Sequence, residues 1–155
     1  MVYSVSITTT AATAKTDAKR TVLKVGKGLV YKIEVEFPPG CCGLLHSLIF
    51  DGSYQVYPAS PDDSFHSDAG VISFDDCYLK MGAPFEFVIE TWNLDDTFDH
   101  KIQVRVGMAS SEAFMSRYMP SITWEKFQST LAKAAIDQEA MKQKAIDEFS
   151  KTFKE

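Results

Sequence analysis

Hydrophobic and polar residues alternate along most of the first two thirds of the chain. Leu29, Tyr31, Ile33, Val35 and Phe37 occupy every second position, with Lys32, Glu34 and Glu36 between them. Successive side chains of a strand point to opposite faces, so this stretch predicts a strand with one face in a core and one in water. Ile102, Val104 and Val106 against Lys101, Gln103 and Arg105 repeat the pattern, as do Phe85, Phe87, Ile89 and Thr91 against Glu86, Val88 and Glu90. Val5 and Ile7 alternate with polar neighbours, and TVLKV (21–25) leads to a turn at Gly26-Lys27-Gly28. LLHSLIF (44–50) is more continuously apolar and predicts a strand buried on both faces; Asp51-Gly52 then offers a tight turn into SYQVYP. About seven or eight short strands, with turn signals every ten residues or so, predict a mainly β protein, an antiparallel β-sandwich with a jelly roll as one variant. The sandwich is expected over residues 1–109.

After Gly107 the period changes. SSEAFMSRYMP predicts a short helix capped at Ser110 or Ser111 and ended by Pro120. From Ser121 onward there is no Gly or Pro and good helix formers dominate, so a C-terminal helical extension fills the rest of 110–155. Trp124, Phe127 and Leu131 are bulky and suit anchoring on the core. Beyond them Ala134, Ala135 and Ala145 are small, Met141 is adaptable, and Phe149 and Phe153 leave apolar area near the terminus. Those six later residues are the candidate interface with another chain.

Charge narrows the partners. The net charge is −5, with 16 Lys and Arg against 21 Asp and Glu. That balance disfavours nucleic acid, whose phosphates demand clustered cations. No apolar run approaches the ~20 residues that span a bilayer, so no membrane partner is expected. The start of the chain lacks the basic and apolar blocks of a secretory signal, which predicts synthesis and retention in a cytoplasm. The stretch SITTTAATAKTDAKR is polar and Thr/Ala-rich, and predicts a solvated N-terminal arm without a core of its own.

Candidate chemistry is sparse. EFPPGCCGLLH places Cys41, Cys42 and His46 beside a Pro-Pro-Gly corner. Zinc wants paired ligands two to four residues apart and a second pair elsewhere, and Cys77 is isolated. A thiolate nucleophile wants a histidine and a helix N-terminus. The stretch is therefore expected to be a corner with reduced, partly buried thiols. NLDDTFD sets Asn93, Asp95, Thr97 and Asp99 at alternate positions, as calcium loops do. However, Phe98 stands where such a loop has glycine and Val104 where it has Glu. A hairpin loop with Asn and Asp bonded to local amides is the better account. Asp62, Asp63, His66 and Asp68 form a second acidic loop, expected to be solvated. No nucleophile elbow, P-loop or dinucleotide fingerprint is present. No cofactor, metal or catalytic residue is expected. Tyr54, Tyr57 and Trp92 are the aromatics that a carbohydrate platform could use. Across the two clearest strands, Glu34 and Glu36 face the opposite charges of Lys101 and Arg105, which predicts that these strands are neighbours.

One likeness adds to this. KGLVYKIEVEFPPGCCGLLHSLIFDGSYQVYP, followed by DDCYLK, PFEFVIETWNLDDTFDH and QVRVG, resembles small uncharacterised proteins predicted from tailed-bacteriophage and environmental viral genomes. Those proteins appear among virion structural genes. The likeness covers roughly residues 20–119 and carries no catalytic motif. It implies a non-enzymatic virion structural protein, a capsid decoration or minor head or tail component. Such a protein would assemble with itself or a larger capsid or tail protein, in the host cytoplasm and then the virion. The alternative is a β-sandwich that binds a carbohydrate or cell-surface ligand through the 58–70 and 93–100 loops.

Overall fold

The computed structural model describes residues 1–118, 120–122, 124–130, 132, 133 and 136. Nine strands and one short helix follow in order: β1 (Val2–Thr9), β2 (Lys19–Lys24), β3 (Gly28–Glu36), β4 (Leu45–Asp51), β5 (Tyr54–Tyr57), β6 (Phe65–His66), β7 (Val71–Lys80), β8 (Glu86–Asn93), β9 (His100–Ala109) and α1 (Ser111–Tyr118). A single 3-10 turn, Lys15–Asp17, interrupts the connection from β1 to β2.

The strands form two antiparallel sheets, ordered β1-β9-β3-β7 and β2-β8-β4-β5, with the two-residue β6 on β4. Every connection crosses from one sheet to the other except the β4–β5 hairpin and β6, which stays beside β4. With β6 set aside, these orders are those of the jelly roll, two interlocked Greek keys. The predicted sandwich is what the chain forms. The reason lies in parity: Ile7, Ile33, Val35, Ile102 and Val104 turn inward from the first sheet, Leu23, Ile49, Phe87 and Ile89 from the second, and all are buried in one core.

Three expectations need correction. The polar arm is built into the sandwich, since Val2–Thr9 pairs along its whole length with β9, and Ile7 and Thr9 are buried. Lys19–Lys24 likewise pairs with β8. Thr is a good strand former on a half-buried face, and that outweighs a polar composition. The 94–99 loop joins β8 to β9 across the two sheets and is no hairpin. LLHSLIF is buried on the inner face and at Leu48 on the outer one, but His46 and Phe50 to either side of Leu48 are only half-buried.

The expected neighbours β3 and β9 pair in register, with Glu34 opposite Arg105 and Glu36 opposite Gln103. Arg105 contacts both carboxylates, at 3.6 Å from Glu34 and 2.5 Å from Glu36. Lys101 lies opposite Thr8 on β1 instead. The chain divides after Ser111, and unit Met1–Ser111 is the sandwich. Beyond α1, residues 120–122 and 124–130 are helical, as predicted. Within this segment Trp124 and Phe127 face one another at 5.8 Å and are 60% and 51% exposed. Leu131 and the candidate interface residues Ala134, Ala135, Met141, Ala145, Phe149 and Phe153 lie outside the described residues. No helix among the described residues is long and apolar enough to cross a membrane.

Candidate functional site

The jelly-roll topology sends four connections, 10–18, 37–44, 58–70 and 94–99, to the same end of the sandwich, because β1, β3, β5 and β8 all run toward it. The opposite end carries only short turns, together with Met1 and the exit of β9. The long loops are where a sandwich usually places function.

Hydrogen bonds stitch the four loops into one surface. The Ala12 amide donates to the Asp95 carbonyl at 2.7 Å, and Leu94 donates to Leu44 at 2.9 Å. Ala69 donates to Pro38 at 3.2 Å, and Gly40 to an Asp68 carboxylate oxygen at 2.8 Å. The corner around Cys41 is the knot of this weave. Its Sγ lies 3.2 Å from the Pro38 carbonyl and 3.0 Å from that of Ser67, as a thiol donating to both would. Burial raises the Cys41 pKa, with the Asp68 carboxylate adding to it. A thiol held protonated among acceptors is poorly placed as a nucleophile. Cys42 sits at φ 48 and turns its side chain out to solvent, and Cys77 is exposed on β7. The adjacent cysteines thus diverge, as a corner requires.

The carboxylates of the Asn93–Asp99 loop are taken up by amides of its own and a neighbouring loop, by a hydroxyl and by an imidazole. Asn93 Oδ1 accepts the Asp95 amide, and Asp95 Oδ1 accepts those of Thr97 and Phe98 at 2.8 and 3.1 Å. Asp95 Oδ2 lies 2.8 Å from His100 Nε2, and Asp99 accepts the Ala11 amide. The amide of Thr97 and the His100 ring, with the Phe98 amide, hold Asp95 below the usual carboxylate range. Behind them Asn93, Thr9 and Thr91 are buried, and the two threonine hydroxyls meet at 2.7 Å. Among the described residues no three His, Cys, Asp or Glu side chains converge as a metal would require. Asp62 and Asp63 are exposed in the other acidic loop. The tips of the loop end also present apolar groups: Leu94 is 52% and Phe98 65% exposed, beside Leu44.

The aromatics do not form a platform. Tyr54 is exposed, but Tyr57 and Trp92 are buried. Tyr57 donates to Asp76 at 2.5 Å inside the sandwich, and Trp92 is stacked under His46 at 5.0 Å with the rings parallel. On the outer face of the second sheet Lys15 also approaches that indole, and His66 packs against His46.

Sequence reasoning missed one buried polar cluster, at the side where β7 closes against β4 and β5. Lys80, only 2% exposed, pairs with Asp51 and lies over the Phe87 ring. Tyr78 donates to the same carboxylate at 2.8 Å, and its phenol is pushed up to about 12 by burial and then by Asp51. Burial and the Asp76 hydrogen bond push Tyr57 up further. The signal was available: Asp76, Tyr78 and Lys80 share the parity of the inward-facing Phe74. Neither a scan of protein-family models nor a search of curated proteins finds a match to the chain.

Proposed function

We propose that this protein is a non-enzymatic structural component of a virus particle, a capsid decoration or minor head or tail protein that works through protein–protein contacts. The observation that carries this reading is the helical segment after the sandwich, where Ile122, Trp124, Phe127 and Ile136 are all exposed. Large apolar side chains at such density mark a surface meant for another chain. The jelly roll supports it by analogy, since the fold recurs in capsid proteins, although it serves lectins and cupins as well. The resemblance of residues 20–119 to proteins encoded among virion structural genes points the same way. Its partner is a second copy of itself or a larger capsid or tail protein. The loop end supports a binding role more than a catalytic one, because the Cys41 thiol and the Asp95, Asp68 and Asp99 carboxylates are engaged by backbone groups or by His100.

The test is co-sedimentation of the full chain with purified phage heads and tails, beside a Trp124→Ser/Phe127→Ser variant. The wild type is expected to pellet with particles, and the variant to stay in the supernatant while keeping its melting transition. Equal pelleting of both would remove the helical segment from the interface, and failure of the wild type to pellet would overturn the reading.

A further inference from the structure

We propose that His46, set between the Trp92 indole and the His66 ring, forms with His66 and Lys15 an acid-labile latch that holds β6 and the 3-10 turn against the outer face of the second sheet. Leu45, Ser47 and Ile49 face inward from β4, so His46 between them faces out. In register it lies opposite Trp92 of β8 on one side and His66 of β6 on the other. The His46 ring is parallel to the indole at 5.0 Å, the His66 ring is 5.0 Å from that of His46, and Lys15 Nζ lies 5.5 Å from the Trp92 ring. His46 therefore sits between the indole, which Lys15 also approaches, and the ring of His66.

The segments they hold are weakly held otherwise. β6 has two residues, pairs with β4 alone, and leans on the core through Phe65. Ser64 links the two rings: its hydroxyl lies 3.0 Å from His46 Nδ1, and its carbonyl accepts from His66 Nδ1 at 3.0 Å. Neutral imidazoles satisfy this arrangement. Protonating both would set like charges 5.0 Å apart, with the Lys15 ammonium beside them. A protonated His46 would gain from the indole face, but Lys15 already occupies that ring's field. Burial, then His66, then Lys15 lower the His46 pKa.

Other charges nearby are committed elsewhere. On β8, Glu90 pairs with Arg20 of β2 at 3.2 Å. In the 58–70 loop, Asp63 accepts the Ser64 amide and Asp68 that of Gly40. Asp17 of the 3-10 turn takes the Thr16 hydroxyl at 3.5 Å. The sign follows from the lowered value: the neutral ring is favoured in the folded latch. The latch's contribution is complete above the ordinary histidine range and is lost as pH falls below it. Acid would then free 64–66, while the Gln55 amide keeps its hold on the Pro58, Ser60 and Asp63 carbonyls and the ties of 67–70 to 37–41 stay outside the charged cluster.

Hydrogen exchange of the full chain, corrected for the intrinsic rate, tests this at about pH 7.5 and about pH 5, alongside imidazole NMR titrations. Protection of 64–66 should fall by about tenfold in acid, while β3 and β9 change little. His66→Gln, at an exposed site, should weaken that pH dependence, leaving the part due to the burial of His46, and Lys15→Gln should move the His46 titration up toward the ordinary value. Unchanged protection at both pH values, or a pH dependence that His66→Gln leaves at full size, overturns the latch.

Discussion

Cys41 is buried because its thiol has replaced water with two carbonyl partners, so it behaves as a packing and bonding residue. Cys41→Ala should cost about 1–3 kcal/mol in urea unfolding, from lost packing and two orphaned carbonyls. Adding Cys42→Ala should cost little more, because Cys42 is exposed. Stoichiometric zinc in the purified protein, lost in the double variant, would contradict this account. Asp95 makes a different prediction. Its carboxyl is held below the ordinary range by amides that exist only in the folded loop, so its folded pKa lies under its unfolded one. The stability it lends is present above the unfolded pKa and is lost as pH falls through the folded value. Urea midpoints measured from about pH 5 down to about pH 3 should drop less steeply for Asp95→Asn than for the wild type. Parallel profiles would show that the loop does not couple to this carboxylate.

Among the elements, the closure of β7 against β4 and β5 depends most on a few atoms. Asp51→Ala would strand the Lys80 ammonium, 2% exposed, with Phe87 beneath it and no carboxylate. Breaking one half of a buried pair costs about 3–5 kcal/mol, whereas replacing both halves with apolar groups is often neutral. Denaturant melts should therefore show a large loss for Asp51→Ala and substantial recovery in Asp51→Ala/Lys80→Met. Additive losses would mean that the pair is not a unit. These elements also show what the sequence makes legible. β3, β8 and β9 could be placed because period-2 alternation over eight or more residues is a local signal, and the β3–β9 neighbours because Glu34 and Arg105 answer one another. Of β1 the alternation of Val5 and Ile7 was legible, but its threonine end was read as arm, because the pairing with β9 lies about a hundred residues away in sequence. Tyr57 and Trp92 sit in strand patterns, for which burial is the more economical account than a ligand platform, and both are buried. The woven loop end was invisible, because each of its ties joins segments far apart in the chain.

For the whole molecule, the division after Ser111 sets the strongest expectation. The sandwich contains a single core drawn from both sheets, whose buried members among the described residues run from Ile7 to Met108. A chain of that size is large enough to bury a core and fold alone. The exposed Ile122, Trp124, Phe127 and Ile136 all belong to the other unit. Ending the chain after Ser111 should therefore leave a cooperative unfolding transition and a strand-type circular dichroism spectrum. It should also remove assembly, seen as a shift to monomer in sedimentation velocity and loss of binding to capsid or tail particles. The two readouts separate the explanations. A truncated chain that fails to fold would make the helical segment part of the fold. A truncated chain that folds and still assembles would move the interface to the sandwich, where the apolar tips Leu44, Leu94 and Phe98 become the surface to mutate first.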